Sequence, residues 1–201
     1  MELQWRVERA VTIHREAADR EWERLERGEG PGEAMQALAD VADWLAGTDL
    51  GIGRTYFEPG VITRISLFEK AQVRGELLCL GTNADMEVTV LPWRFGVSRV
   101  ISGLVMYTAL GNMSRREDGL MQADIVASEE VLHCHSSPSS GLRGLAASQD
   151  SVVLDVFYAR PVQVAHHYRI QESRNGTAIL ALSTMPTIRD KGYRGPFLRF
   201  P

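Results

Sequence analysis

At 201 residues, with 44% hydrophobic and 24% charged side chains, the chain is long enough for one full core and a small appended element. A formal net charge of -4 supplies no basic field for wrapping nucleic acid. Charges run through the first eleven residues where a signal peptide needs an apolar core, and no segment approaches the roughly 18 apolar residues of a membrane span. A cytoplasmic protein with neither nucleic-acid nor membrane partners is expected.

The chain opens on a helix. Leu3, Val7, Val11, His14, Ala18, Trp22 and Leu25 recur at spacings of three and four, one apolar stripe that ends near Gly28-Glu29-Gly30-Pro31. His14 sits on that stripe, as a packed histidine rather than a ligand, because nothing nearby in sequence joins it as a metal set. A second helix is predicted from Gly32 to Ala46, with Met35, Leu38, Ala42 and Leu45 on one side and Gly47 as its stop. Residues 1–47 thus form a helical pair packed on a β-barrel of residues 48–201. From Thr48 to Gly60 the glycines mark a loop, and Gly51-Ile52-Gly53 is too short, and wrongly placed after a helix, for a phosphate-binding fingerprint.

Strand-like segments then arrive about every ten residues, an all-β rhythm. They are Val61 to Phe68, four within Glu76 to Leu110, Met121 to Ser128, Val131 to His135, Val152 to Tyr158, Val164 to Gln171 and Thr177 to Ser183. Within Glu76 to Leu110 the breaks fall at Asn83-Ala84-Asp85, Pro92 to Phe95 and Ser102-Gly103, and Glu87 to Leu91 is rich in β-branched residues. Asn175-Gly176 is the strongest turn signal, since a type I′ hairpin needs two residues that tolerate positive φ. Cys79 and Cys134 lack a C-x-x-C spacing and read as reduced core thiols. The basic, aromatic end from Arg189 to Pro201 is expected to wrap over the outside as a solvated face.

Two helices followed by a closed antiparallel barrel predict a mainly β fold, a cupin-type double-stranded β-helix (jelly roll). The sequence also resembles the cysteine dioxygenase (thiol dioxygenase) branch of the cupins. Ile62-Thr63-Arg64 is similar to that family's Tyr-Thr-Arg, Glu76 to Leu80 to its strand before the first motif, and Arg99 to Gly103 to its strand-to-turn after it. Gly141-Leu142-Arg143 is similar to its Gly-Leu-His, and Asp155 to Pro161 to its Leu-His-Leu-Tyr-Ser-Pro-Pro. In the family, iron is held by a His-x-His pair and by the histidine of Gly-Leu-His. Counting back from Gly96, the pair falls at Thr89 and Leu91, and the third position is Arg143. None of these replaces neutral imidazole, so the resemblance implies a cupin without the usual three-histidine iron site and with no cofactor.

By the same resemblance Arg64 matches the arginine that grips a substrate carboxylate, and Tyr158 the tyrosine whose hydroxyl faces the reacting centre. Arg143 would set a guanidinium, a bidentate anion anchor, where the cation sat. Leu154, Val156 and Tyr158 share one strand face, with Tyr158 pointing into the barrel if the family pattern holds. Trp93 joins Arg64 and Arg143 as a substrate contact, and His135 is a second candidate proton carrier beside Tyr158. His133 and His135, two apart on a strand, and His166 form the alternative, a relocated Fe site. Three functions follow: a metal-independent cupin enzyme performing proton chemistry on a small anionic, carboxylate-bearing metabolite; a thiol-dioxygenase-like iron oxygenase with a relocated site; and a non-catalytic binding protein. Pairing through strand edges into a homodimer is compatible with each.

Overall fold

The computed structural model describes residues 2–90, 93–130, 133–136, 142–159, 166–183 and 188–192, with residues 112, 126–130 and 133–136 described by their backbone only. Two helices come first, α1 (Glu2–Glu26) and α2 (Glu33–Ala46). The turn between them is fixed by Glu21, buried on α1, whose Oε1 accepts the Gly32 N–H at 2.6 Å. A Cβ at Gly32 would meet that carboxylate at 2.5 Å, so a larger residue there would have to displace the Glu21 side chain.

After a single 3₁₀ turn (Arg54–Tyr56) the described strands are β1 (Ile62–Lys70), β2 (Val73–Leu80), β3 (Ala84–Val90), β4 (Trp93–Ser102), β5 (Val105–Arg115) and β6 (Met121–Glu130). They continue as β7 (His133–Ser136), β8 (Leu142–Ala147), β9 (Ser151–Ala159), β10 (His167–Arg174), β11 (Thr177–Ser183) and β12 (Ile188–Asp190). Asn175 and Gly176 link β10 to β11 with φ of 50° and 75°, the left-handed pair their turn demands. One sheet contains the run β2-β9-β4-β7 and the other β3-β8-β5-β6. That interleaving of early and late strands is the winding of a jelly roll. β1 and β12 extend the first sheet beyond β2, with β12 running parallel to β1. In the second sheet β11 continues from β6, and β10 returns to pair with β3, so six strands close into a ring.

Three apolar layers result. Both helices bury their stripes (Val7, Val11, Leu38, Val41, Leu45) on the outer face of the first sheet, against Ile65, Leu77, Phe95, Leu154 and Val156. Between the sheets, Ile62, Leu78, Leu80 and Val153 meet Met86, Tyr107, Leu145 and Ala147. Inside the ring lies a smaller core of Val88, Leu110, Ala123, Leu142, Tyr168, Ala178 and Leu180. The first sheet is therefore covered on both faces, and all of β9 is buried except the partly covered Tyr158. No described helix is long and apolar enough to cross a membrane. Cys79 is a free thiol inside β2, and burial pushes its pKa up to about 12, consistent with an inert core residue.

Candidate functional site

Strand register stacks polar residues at one level between the sheets. On the first sheet Ser66 pairs with Glu76, Glu76 with Asp155, and Asp155 with Ser98. On the second, His167 pairs with Thr89, and Thr89 with Arg143. Side chains of directly paired residues share a face, so these two rows look at each other across the sandwich.

The centre of the layer is a closed ion pair. Arg143 Nη1 and Nη2 donate to Asp155 Oδ1 and Oδ2 at 2.9 and 2.6 Å, and Nη1 also donates to Ser98 Oγ at 2.7 Å. Ser98 Oγ in turn donates to Asp155 Oδ1 at 2.5 Å. Both charged side chains are 2% exposed. Trp93 closes the far side, its ring 4.7 Å from the Arg143 guanidinium carbon and stacked on Phe157 at 4.9 Å. Gly96 makes that stack possible, because a Cβ there would meet Trp93 Cε3 at 2.7 Å and Phe157 Cβ at 2.6 Å.

The edge of the layer is open. Arg64, Ser66, Glu76, Asp190, Lys191 and Gly192 line a cleft of about 330 Å³. Arg64 donates through Nε and Nη2 to Asp190 at 2.7 and 3.1 Å, a pair facing water, with Asp190 72% exposed. Glu76 is half-buried, and burial raises its pKa above the usual carboxylate range, against the opposing pull of Arg64. Opposite, Thr89 Oγ1 lies 2.8 Å from both the Glu87 carbonyl and His167 Nδ1. A hydroxyl has one proton, so Thr89 donates to the carbonyl and accepts from the Nδ1–H, which leaves His167 Nε2 as the basic nitrogen. Burial holds His167 below the usual histidine range, and the positive charge of Arg64 acts in the same direction.

The expected site residues separate on this frame. Arg64, Arg143 and Trp93 do belong to the inter-sheet layer, and Thr89 stands cross-strand from Arg143. Tyr158 does not point inward. Its ring stacks on His14 and Phe95 at 4.9 and 5.7 Å in the layer under the helices, because the barrel-facing residues of β9 are Asp155 and Phe157. His133 and His135 lie on β7 opposite Arg99 and Val97, and their side chains fall outside the described residues, as does Leu91. His166 is exposed, its carbonyl accepting the Val90 N–H. Glu76, Ser98, Asp155 and His167 complete the layer, and the first three are not singled out as a site by the sequence. The signal for Glu76 is an acid leading the apolar run Leu77 to Leu80, in alternation with Leu78 and Leu80.

The side chains described at the positions where the resemblance implies iron ligands do not fit an iron site. Two of the ligand positions that the resemblance implies hold Thr89 and Arg143, and the Arg143 guanidinium is paired with Asp155 and Ser98. Among the described residues no three His, Cys, Asp or Glu side chains converge as a ligand set.

No family model and no curated protein matches the chain. Solved structures similar to it include an RmlC-like cupin from Desulfovibrio desulfuricans, 14% identical, spanning 56% of this chain and 93% of that one with a TM-score of 0.40. A protein with a double-stranded β-helix domain from Klebsiella pneumoniae is 16% identical over 52% and 84%, TM-score 0.39. The DMSP lyase DddQ from Ruegeria pomeroyi is 8% identical over 67% and 68%, TM-score 0.37. The fold is a cupin-type double-stranded β-helix. Strand order and pairing in this chain carry that assignment.

Glu76 supplies a test of the layer. Its folded pKa lies above its unfolded one, so the folded state binds the extra proton and loses stability as pH rises from the ordinary glutamate range through the raised value. Glu76→Gln removes that loss. The variant's melting temperature is expected to exceed the wild type's at alkaline pH and to converge with it below pH about 4. Parallel melting curves across the whole range would show that Glu76 is solvated like a surface carboxylate.

Proposed function

We propose that this chain is a metal-independent cupin, related in motif order to the thiol dioxygenases, that binds a small carboxylate-bearing metabolite and moves a proton on it in the cytoplasm. The observation that carries the reading is that Glu76, whose pKa is pushed up, and His167, whose pKa is pushed down, stand on the facing rows of one polar layer, each under the influence of the Arg64 charge. Environments that push a carboxyl up and an imidazole down suit the two groups to acid and base roles. Isomerisation or elimination suits such a pair and needs no redox centre.

The two arginines take different roles. Arg143 is locked by a buried carboxylate and sets the field of the layer, whereas the Arg64–Asp190 pair faces solvent, where an ion pair is worth about 1 kcal/mol or less. A ligand carboxylate can therefore displace Asp190 and take the guanidinium bidentately. A saturating short dicarboxylate such as succinate, at one hundred times its dissociation constant, is expected to add about 2.7 kcal/mol of stability. Arg64→Ala should abolish that gain. Deuterium uptake from D₂O into short keto- and hydroxy-carboxylates, followed by NMR, then reads proton transfer without knowledge of the product.

Uptake lost in both Glu76→Gln and His167→Ala supports the enzyme. Binding without uptake favours the non-catalytic reading, to which the pairing of Arg143 with a buried carboxylate also lends weight. Unchanged ligand shifts in Arg64→Ala would remove the site altogether. For the iron alternative, near-stoichiometric iron lost on His133→Ala would overturn the metal-independent reading.

A further inference from the structure

The cleft at the edge of the polar layer takes half of its lining from one short strand and the residues after it. Asp190 ends β12, Lys191 and Gly192 follow, and these three face Arg64, Ser66 and Glu76 around the cleft. β12 is the edge of the first sheet and pairs with β1 at Ile188–Ile62, Arg189–Thr63 and Asp190–Arg64. Ile188 packs on the inter-sheet core, and Asp190, two residues on, points to the same side, where it meets Arg64. Arg189 and Lys191 tie the strand to the segment before β1. Arg189 pairs with Glu58, and Lys191 Nζ donates to the Thr55 carbonyl at 2.7 Å, 5.2 Å from the centre of the Tyr56 ring. The Lys191 N–H donates to the Arg64 carbonyl at 2.9 Å.

These ties are weak ones. The ladder is short, and the pairs of Asp190 with Arg64 and of Arg189 with Glu58 lie at the surface, where an ion pair contributes little. A segment with few buried contacts and exposed hydrogen bonds opens locally at low cost. Asp190 nonetheless holds the principal anchor of the cleft. Its two oxygens accept from Arg64 Nε and Nη2, the bidentate geometry that a ligand carboxylate would use. The hydrogen bond from Arg64 keeps its pKa below the usual carboxylate range, so the competing group is charged at neutral pH.

On the reading of this cleft as a carboxylate site, we propose that β12 is an autoinhibitory strap: Asp190 is an internal ligand of Arg64 that an incoming carboxylate evicts, and eviction loosens β12 from β1. Coupling of this kind is reciprocal, so whatever factor the strap takes from the ligand's affinity, the ligand takes from the hold of the strap. Release removes Asp190, Lys191 and Gly192 from the lining and leaves Arg64, Ser66 and Glu76 to the ligand.

The probe is succinate, titrated by calorimetry into the full chain and into its Asp190→Ala variant, with backbone amide exchange of the wild type followed by NMR without succinate and at saturation. Asp190→Ala is expected to bind succinate about fivefold more tightly, the equilibrium weight of a surface ion pair at the upper end of its range. In the wild type, succinate should speed exchange of the Lys191 amide and leave the amides paired between β2 and β9 unchanged. The exchange measurement alters no charge on the protein, so it separates eviction from the general attraction of an anion to a chain with one acid fewer. Equal affinity in Asp190→Ala, or a Lys191 amide whose exchange is unchanged or slowed by succinate, would overturn the strap while leaving the carboxylate cleft in place. Failure of succinate to bind either protein would remove the carboxylate reading of the cleft and the strap with it.

Discussion

Asp155→Ala is expected to destabilise the fold by about 3–5 kcal/mol in urea denaturation, because it strands the buried Arg143 guanidinium without its counter-charge. A lysine or histidine in that position would relieve the cost by releasing its proton, but a guanidinium does not deprotonate in a protein. The partner hydroxyl of Ser98 remains as a donor-acceptor but carries no charge. By contrast Asp190→Ala, which cuts the same kind of bidentate pair at the solvent-facing edge, should cost about 1 kcal/mol or less. Joint replacement of Arg143 and Asp155 by leucine should recover much of the loss, since a packed apolar pair replaces a buried ion pair at little net cost. Equal effects of Asp155→Ala and Asp190→Ala would mean that the central pair is hydrated.

His14 makes stability fall with acid. Its ring lies under α1, stacked on Phe95 and Tyr158 at 5.4 and 4.9 Å, with Nδ1 2.5 Å from the Ala10 carbonyl. Burial depresses its pKa from 6.5 to about 4, the opposing carbonyl contact being the smaller effect. The unfolded chain binds the proton first, so the contribution of neutral His14 is complete above pH about 6.5 and is lost as pH falls toward 4. The full span corresponds to about 3 kcal/mol. His14→Phe keeps the stacked ring without the titration, and the difference in unfolding free energy between variant and wild type should widen in the variant's favour across that window. A constant difference from pH 7 to pH 4 would place His14 in contact with water.

The same residues show what a sequence can and cannot disclose. The helical stripes from Leu3 to Leu25 and from Met35 to Leu45, the strand rhythm and the Asn175-Gly176 turn are local patterns, and the structure follows them. The strand β8 was passed over because LRGLAA is short, small and interrupted by Gly144, so its strand state comes from pairing with β3 and β5 rather than from propensity. The direction of Tyr158 was illegible for a different reason. With helices on one side and the second sheet on the other, β9 is apolar on both faces, and alternation then says which residues share a face but not which face looks inward. The polar layer depends on cross-strand register, which joins Glu76, Asp155 and Ser98 across 79 residues of sequence numbering, from position 76 to position 155. The pairing of Arg143 with Asp155 emerges only once the two sheets face each other.

A carboxyl-detected NMR titration of Glu76, in wild type and in Arg64→Ala, tests the site most directly. Glu76 should titrate above the ordinary glutamate range in the wild type and move higher still when Arg64 is removed, since that guanidinium is the leading influence holding it down. Titration of Glu76 in the ordinary range, with no response to Arg64→Ala, would contradict an acid-base pair gated by Arg64 in the polar layer.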